Sequence, residues 1–123
     1  MSKLIKKMLI AILALGICAP AFANDEVRKL IDNPNYWAFP GGDYNNWRYT
    51  ELNQINTKNV SKLGVAWTFS TGRLQGHEGG PLVLPGSVTG LDGDTLYIHS
   101  SFPNDVFAIS LDTLEIVWYF EPQ

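Results

Sequence analysis

The sequence contains one cysteine, Cys18, in 123 residues. A single thiol closes no internal disulfide and builds no thiolate zinc cluster. Histidine is nearly as scarce, with only His77 and His99. A zinc site needs three or four ligands at set spacing, so neither imidazole is read as a metal ligand. Basic residues are also few: nine Lys and Arg stand against twelve Asp and Glu, for a formal net charge of −3. That balance excludes a nucleic-acid binder driven by bulk charge. No apolar run approaches the ~20 residues that cross a bilayer as a helix. There is no phosphate-cradling P-loop, no Ser-His-Asp order with its supporting motifs, and no carboxylate pair at a recognisable spacing. Aromatic residues, by contrast, make up 12% of the chain and include four Trp and five Tyr. That content excludes a disordered polymer.

The first 23 residues differ from the rest. Lys3, Lys6 and Lys7 form a basic start, Met8–Cys18 is an apolar run of eleven residues, and Ala21-Phe22-Ala23 is a small-x-small cleavage site. This layout predicts a secretory signal peptide over 1–23, cleaved after Ala23, and an exported product beginning at Asn24. Ile17 precedes Cys18 where a lipoprotein signal wants Gly, Ala or Ser, so Cys18 is read as an apolar residue lost on cleavage. From Asn24 onward six basic residues face twelve acidic ones, a net charge of −6.

Residues 24–63 read as a helical and irregular lead-in. Asn24 or Asp25 caps a short helix over 24–33, with Val27, Leu30 and Ile31 on one face, and Asn33-Pro34-Asn35 stops it. Residues 34–54 are irregular and rich in aromatics, from Tyr36 and Trp37 to Trp47 and Tyr49. The bland reading, that these rings pack the lead-in against the rest of the protein, is favoured over ligand stacking. Asn56-Thr57 caps one or two turns ending at Leu63. The period then changes to two. Residues 64–70, with Val65, Trp67 and Phe69 on one side, read as a strand, followed by strands at 82–84, 95–100, 105–110 and 115–120. The Leu84–Asp94 stretch reads as a loop.

Strands this short and closely spaced form an antiparallel meander. Leu96, Ile98, Val106, Ala108, Ile116 and Trp118 are assigned to one face, and Tyr97, Phe107, Ile109, Val117 and Tyr119 to the other. Both faces are apolar, and a lone sheet buries neither. Propeller blades bury both, because each sits between two others, and a blade takes ~40–45 residues. Residues 64–123 are therefore read as the first blade region of an all-β propeller, with room for one strand belonging to a neighbour. The sequence stops just after a strand, which is read as the mark of a fragment.

Ala108, Thr113 and Trp118 resemble the tryptophan-docking motif of quinoprotein dehydrogenases, with Ser110 standing in place of its Asp and Leu114 in place of its Gly. A longer series is similar, in order, to the start of the large subunits of methanol dehydrogenases. It includes Trp37, Gly42-Asp43-Tyr44, Leu52-Asn53-Gln54-Ile55-Asn56, Ala66-Trp67-Thr68-Phe69, Gly76-His77-Glu78-Gly79, Pro81-Leu82-Val83 and Phe102-Pro103-Asn104. The resemblance implies one blade of an eight-bladed propeller and a cofactor, pyrroloquinoline quinone (PQQ). It further implies a bound calcium or lanthanide ion, a primary alcohol as substrate, a c-type cytochrome as electron acceptor and a periplasmic location. A small subunit or a homodimer is a further possibility of that family.

The resemblance assigns one contact in this chain: Glu78 binds PQQ. Glycines on either side let backbone approach a flat ligand, and a carboxylate offers up to four acceptor positions. From the residues alone, an acid among glycines is more often a solvated loop residue. Arg48 and Arg73 are read as surface or structural. The catalytic residues and metal ligands implied by the resemblance match nothing in this chain, so the fragment alone is expected to be inactive. The alternative is a non-catalytic propeller scaffold of the outer-membrane assembly type, which would need a lipidated cysteine and would lack the Gly-His-Glu-Gly segment.

Overall fold

The computed structural model describes residues 24–122. The signal-peptide reading of 1–23 lies outside the described residues. Helix α1 (Asp25–Ile31) starts where the sequence places it: the Asn24 side chain accepts the Glu26 N–H at 3.0 Å. Asp25 and Glu26 occupy its first turn and Arg28 and Lys29 its last, so its ends match the helix dipole. The turn at 56–63 shrinks to one 3-10 turn, Val60–Lys62. Asparagine side chains organise it: Asn59 accepts from the Asn56 N–H at 2.8 Å and donates to the Gln54 carbonyl at 2.7 Å. Such local bonds compete with a longer helix.

Four strands, β1 (Leu82–Leu84), β2 (Thr95–His99), β3 (Val106–Ser110) and β4 (Ile116–Phe120), form one antiparallel sheet in chain order. The meander read from the sequence is therefore present. The core sits on β3, where Phe107, Ala108 and Ile109 are buried. Adjacent strand residues point to opposite faces, so β3 is covered on both. Every residue of β4 is exposed.

The assignment of residues to faces is corrected by the register. Leu96 pairs with Ile109, Tyr97 with Ala108 and Ile98 with Phe107. Leu96 and Ile98 thus share a face with Phe107 and Ile109, not with Val106 and Ala108. Alternation fixes the faces within a strand, but a one-residue offset in pairing exchanges them between strands. A bulge between Ala108 and Ile109 adds a second change: Ala108 pairs with Trp118 and Ile109 with Ile116, leaving Val117 between them.

The strand expected at 64–70 is not one. The segment pairs with no strand, and Phe69 meets Phe107 of β3 edge-on at 5.1 Å while stacking on Trp67 at 5.8 Å. Its apolar alternation is spent on a sheet face rather than on a sheet edge. The Leu84–Asp94 stretch, read as a loop, contains a helical turn, α2 (Gly86–Thr89), ended by Gly90 at φ 74°. Trp37 ties the lead-in to β1 through a two-bond bridge to Val83, at 3.1 and 3.0 Å. Trp47 and Tyr49, in contrast, are 73% and 71% exposed, so packing accounts for only part of the aromatic stretch.

The β3–β4 turn carries the docking-motif residues. Ala108 is fully buried opposite Trp118. Ser110 Oγ accepts the N–H groups of Asp112 and Thr113, both at 3.3 Å, as a short acidic side chain would. Leu114 takes the glycine position with φ 62°.

Candidate cofactor-binding site

Residues 71–81 run from the lead-in to β1 without regular structure. Glycine at 72, 76, 79 and 80 removes the side chains that would make such a path regular. Around Glu78 the path is held by two side chains from outside it, Ser101 and His99, and by one contact within it. Ser101 Oγ donates to the Gln75 carbonyl at 3.4 Å. Thr71 Oγ1 lies 2.8 Å from His77 Nε2. A Cβ built on Gly79 would fall within the His99 imidazole, so that ring occupies the space a side chain would take. His99 is itself held, its Nδ1 donating to the Ser100 carbonyl at 3.1 Å. A carbonyl only accepts, so Nδ1 carries the proton and Nε2 is the atom left facing Gly79.

Glu78 lies between these anchors. Its side chain is exposed and, among the described residues, makes no hydrogen bond or ion pair. Beside it lies a crevice of about 510 Å³ whose lining includes Trp67, Phe69, Arg73, His77, Leu96 and His99. Chemically, the arrangement is a rigidly flanked acceptor next to an apolar, aromatic recess.

Arg73 also lines that crevice but is held by a buried acid. Its Nε and Nη2 both reach Asp105 Oδ2 at 2.6 Å, and Nη2 lies 3.8 Å from Glu121. Asp105 is 1% exposed, its backbone N–H donates to Ser100 Oγ, and its Oδ1 has no partner among the described residues. The hydrogen bond to Asp105 raises Arg73 above the usual guanidinium value. Removal from water, followed by the charges of Asp105 and Glu121, raises the Tyr119 phenol.

What these residues offer PQQ, the cofactor the sequence resemblance implies, is limited to one acceptor. The cofactor is a flat tricarboxylic acid, and Glu78 offers an unengaged acceptor to its hydrogen-bonding edge. Three carboxylates call for cations, and Arg73 is committed to Asp105 and Glu121. Among the described residues, no three His, Cys, Asp or Glu side chains converge as metal ligands. The sequence singles out Glu78, but not the seat of His99 on Gly79 or the Arg73–Asp105 pair. No local pattern marks either, since both join residues 20 or more positions apart.

Comparison with known proteins bears on this geometry. Residues 37–123 match the family model described as the PQQ glucose/ethanol/alcohol dehydrogenase β-propeller domain. The lanthanide-dependent methanol dehydrogenase of Methylacidiphilum fumariolicum (strain SolV) is 49% identical over 110 residues, covering 88% of this chain and 17% of that protein. Methanol dehydrogenase [cytochrome c] subunit 1 of Paracoccus denitrificans is 44% identical over 112 residues, covering 90% of this chain and 16% of the relative. A solved structure of a europium-containing methanol dehydrogenase superposes with a TM-score of 0.70 at 49% identity, over 81% of this chain and 16% of the other. The chain thus spans only about a sixth of the length of these relatives.

Proposed function

The chain belongs to the PQQ glucose/ethanol/alcohol dehydrogenase β-propeller family, and from that membership we propose that it supplies the amino-terminal segment of a quinoprotein oxidising a primary alcohol such as methanol. The names of the relatives support part of the finer reading, namely methanol as substrate, a lanthanide ion and cytochrome c as acceptor, and the family description supports PQQ; calcium as the alternative ion rests on the sequence resemblance alone. Export to the periplasm rests on the composition of residues 1–23. When bound, PQQ supplies the quinone that accepts hydride from the alcohol carbon, with the metal ion as Lewis acid.

This chain's share of the reaction is positioning. Glu78 accepts a hydrogen bond from the pyrrole N–H, the one donor of the ionised cofactor, and so helps to fix its orientation. The contacts at Gln75 and Gly79 hold the backbone on either side of Glu78 before the cofactor arrives, which lowers the ordering cost of binding. Trp67 and Phe69 keep water from one side of the neighbouring recess. The observation that carries the proposal is the exposed, unpartnered Glu78 carboxylate on a loop pinned on both sides.

The test uses a graft: residues 24–122 replace the matching segment of the Methylacidiphilum fumariolicum enzyme. Apo-graft and its Glu78→Gln variant are titrated with PQQ. A bond to a charged group contributes ~1.5–3 kcal/mol, so Glu78→Gln weakens binding roughly tenfold or more. His77→Gln changes it much less. Equal affinity for Glu78→Gln and the parent graft removes Glu78 from the cofactor contacts.

A further inference from the structure

We propose that His99 is a positioning residue for Glu78, acting through Gly79; the inference rests on the reading of Glu78 as a PQQ contact. Three observations carry it. The His99 ring fills the space over Gly79 so completely that no side chain fits there. Its Nδ1 is held by the Ser100 carbonyl at the end of β2, so the ring is fixed to the sheet and not to the loop. Glu78 has no partner of its own among the described residues, so its only tie to the rest of the structure is the backbone on which it stands.

The chain of contact runs from sheet to ring to glycine to carboxylate. The sheet is the ordered body of the chain, and the 71–81 path has no ladder to hold it. A loop without regular hydrogen bonds opens more readily than a sheet. By occupying the Gly79 surface, the imidazole transfers the rigidity of β2 to the residue next to Glu78. The requirement for glycine at 79 then has a stated cause: the ring and a Cβ cannot share the same volume. The Thr71–His77 contact, by comparison, joins two residues of the path itself and ties it to nothing else.

The test is a set of PQQ titrations on the graft, with melting temperatures of the apo-variants measured alongside. His99 is exposed, so His99→Ala leaves the fold intact and the apo melting temperature close to the parent. It lowers PQQ affinity about tenfold, within the range seen for coupled neighbours. In the Glu78→Gln background, His99→Ala costs nothing further, because the carboxylate it positions is gone. Gly79→Ala weakens PQQ binding by collision with the ring, and adding His99→Ala relieves part of that loss. A merely structural histidine would lower affinity equally in both backgrounds. If Glu78→Gln weakens binding while His99→Ala is silent or fully additive with it, the positioning role is overturned and the Glu78 contact stands. If Glu78→Gln is itself silent, both fall together.

Discussion

Arg73 places two nitrogens on a single oxygen of Asp105, Oδ2, and leaves Oδ1 of the same buried carboxylate without a partner among the described residues. The pair closes 32 positions of chain and joins the 71–81 path to the start of β3. Its two halves are not equivalent. The Arg73 side chain is 31% exposed and can turn to water if abandoned, whereas Asp105 is 1% exposed and cannot.

That asymmetry predicts the order of two variants. Arg73→Ala leaves a buried carboxylate with no counter-charge, while Asp105→Asn leaves a cation that reaches solvent. Arg73→Ala therefore lowers the melting temperature of the graft more than Asp105→Asn does. Thermal melts at neutral pH check the order; the reverse order, or equal losses, refutes it.

Two positions with left-handed backbone should respond in opposite directions. Gly93 has φ 72° and Asp112 Oδ2 stands 2.5 Å from where its Cβ would be, so Gly93→Ala destabilises by ~1–2 kcal/mol. Leu114 already carries a side chain at φ 62°, so Leu114→Gly relieves strain and gains up to ~1 kcal/mol after the extra freedom of the unfolded chain is counted. Denaturant midpoints of the two variants decide the signs.

Residues 24–122 expressed alone should self-associate. Every residue of β4 is exposed, including Trp118 at 46% and Phe120 at 49%, and the strand has a free hydrogen-bonding edge among the described residues. Apolar faces and open edges recruit further strands. Val117→Lys, a charge on that edge, shifts the population toward monomer. Light scattering gives the answer, and a monomeric, cooperatively melting parent would count against the idea.

The proposed export makes a mass prediction. The mature amino terminus is Asn24, with Cys18 absent from the product. Intact-mass measurement of the periplasmic fraction reads it directly. A product that keeps Cys18 with attached lipid would favour the scaffold alternative.

Strand positions β1 to β4 were legible because period-two alternation and turn residues are local signals. Helix α1 was legible from Asn24 and Pro34 for the same reason. Pairing was not legible. Whether Leu96 faces Ile109 or Ala108 depends on an offset set across the β2–β3 connection, and the alternating 64–70 stretch satisfies its aromatics on Phe107 without joining the ladder. The site divides in the same way. Glu78 stood out by its glycine neighbours, but the residue that shapes its surroundings, His99, lies in another strand and carries no motif.

The bulge in β4 also has a bearing on how this strand tolerates change in length. Ala108 faces Trp118 and Ile109 faces Ile116, so Val117 alone has no opposite number. Loss of Val117 would leave each remaining cross-strand couple as it stands and turn the ladder into an uninterrupted one. Loss of any of its four companions would force at least one couple to change partners. Val117 is thus the single β4 position at which a deleted codon spares the sheet's internal order, and the place where homologous chains can differ in length by one residue without reshuffling Trp118, Tyr119 or Phe120.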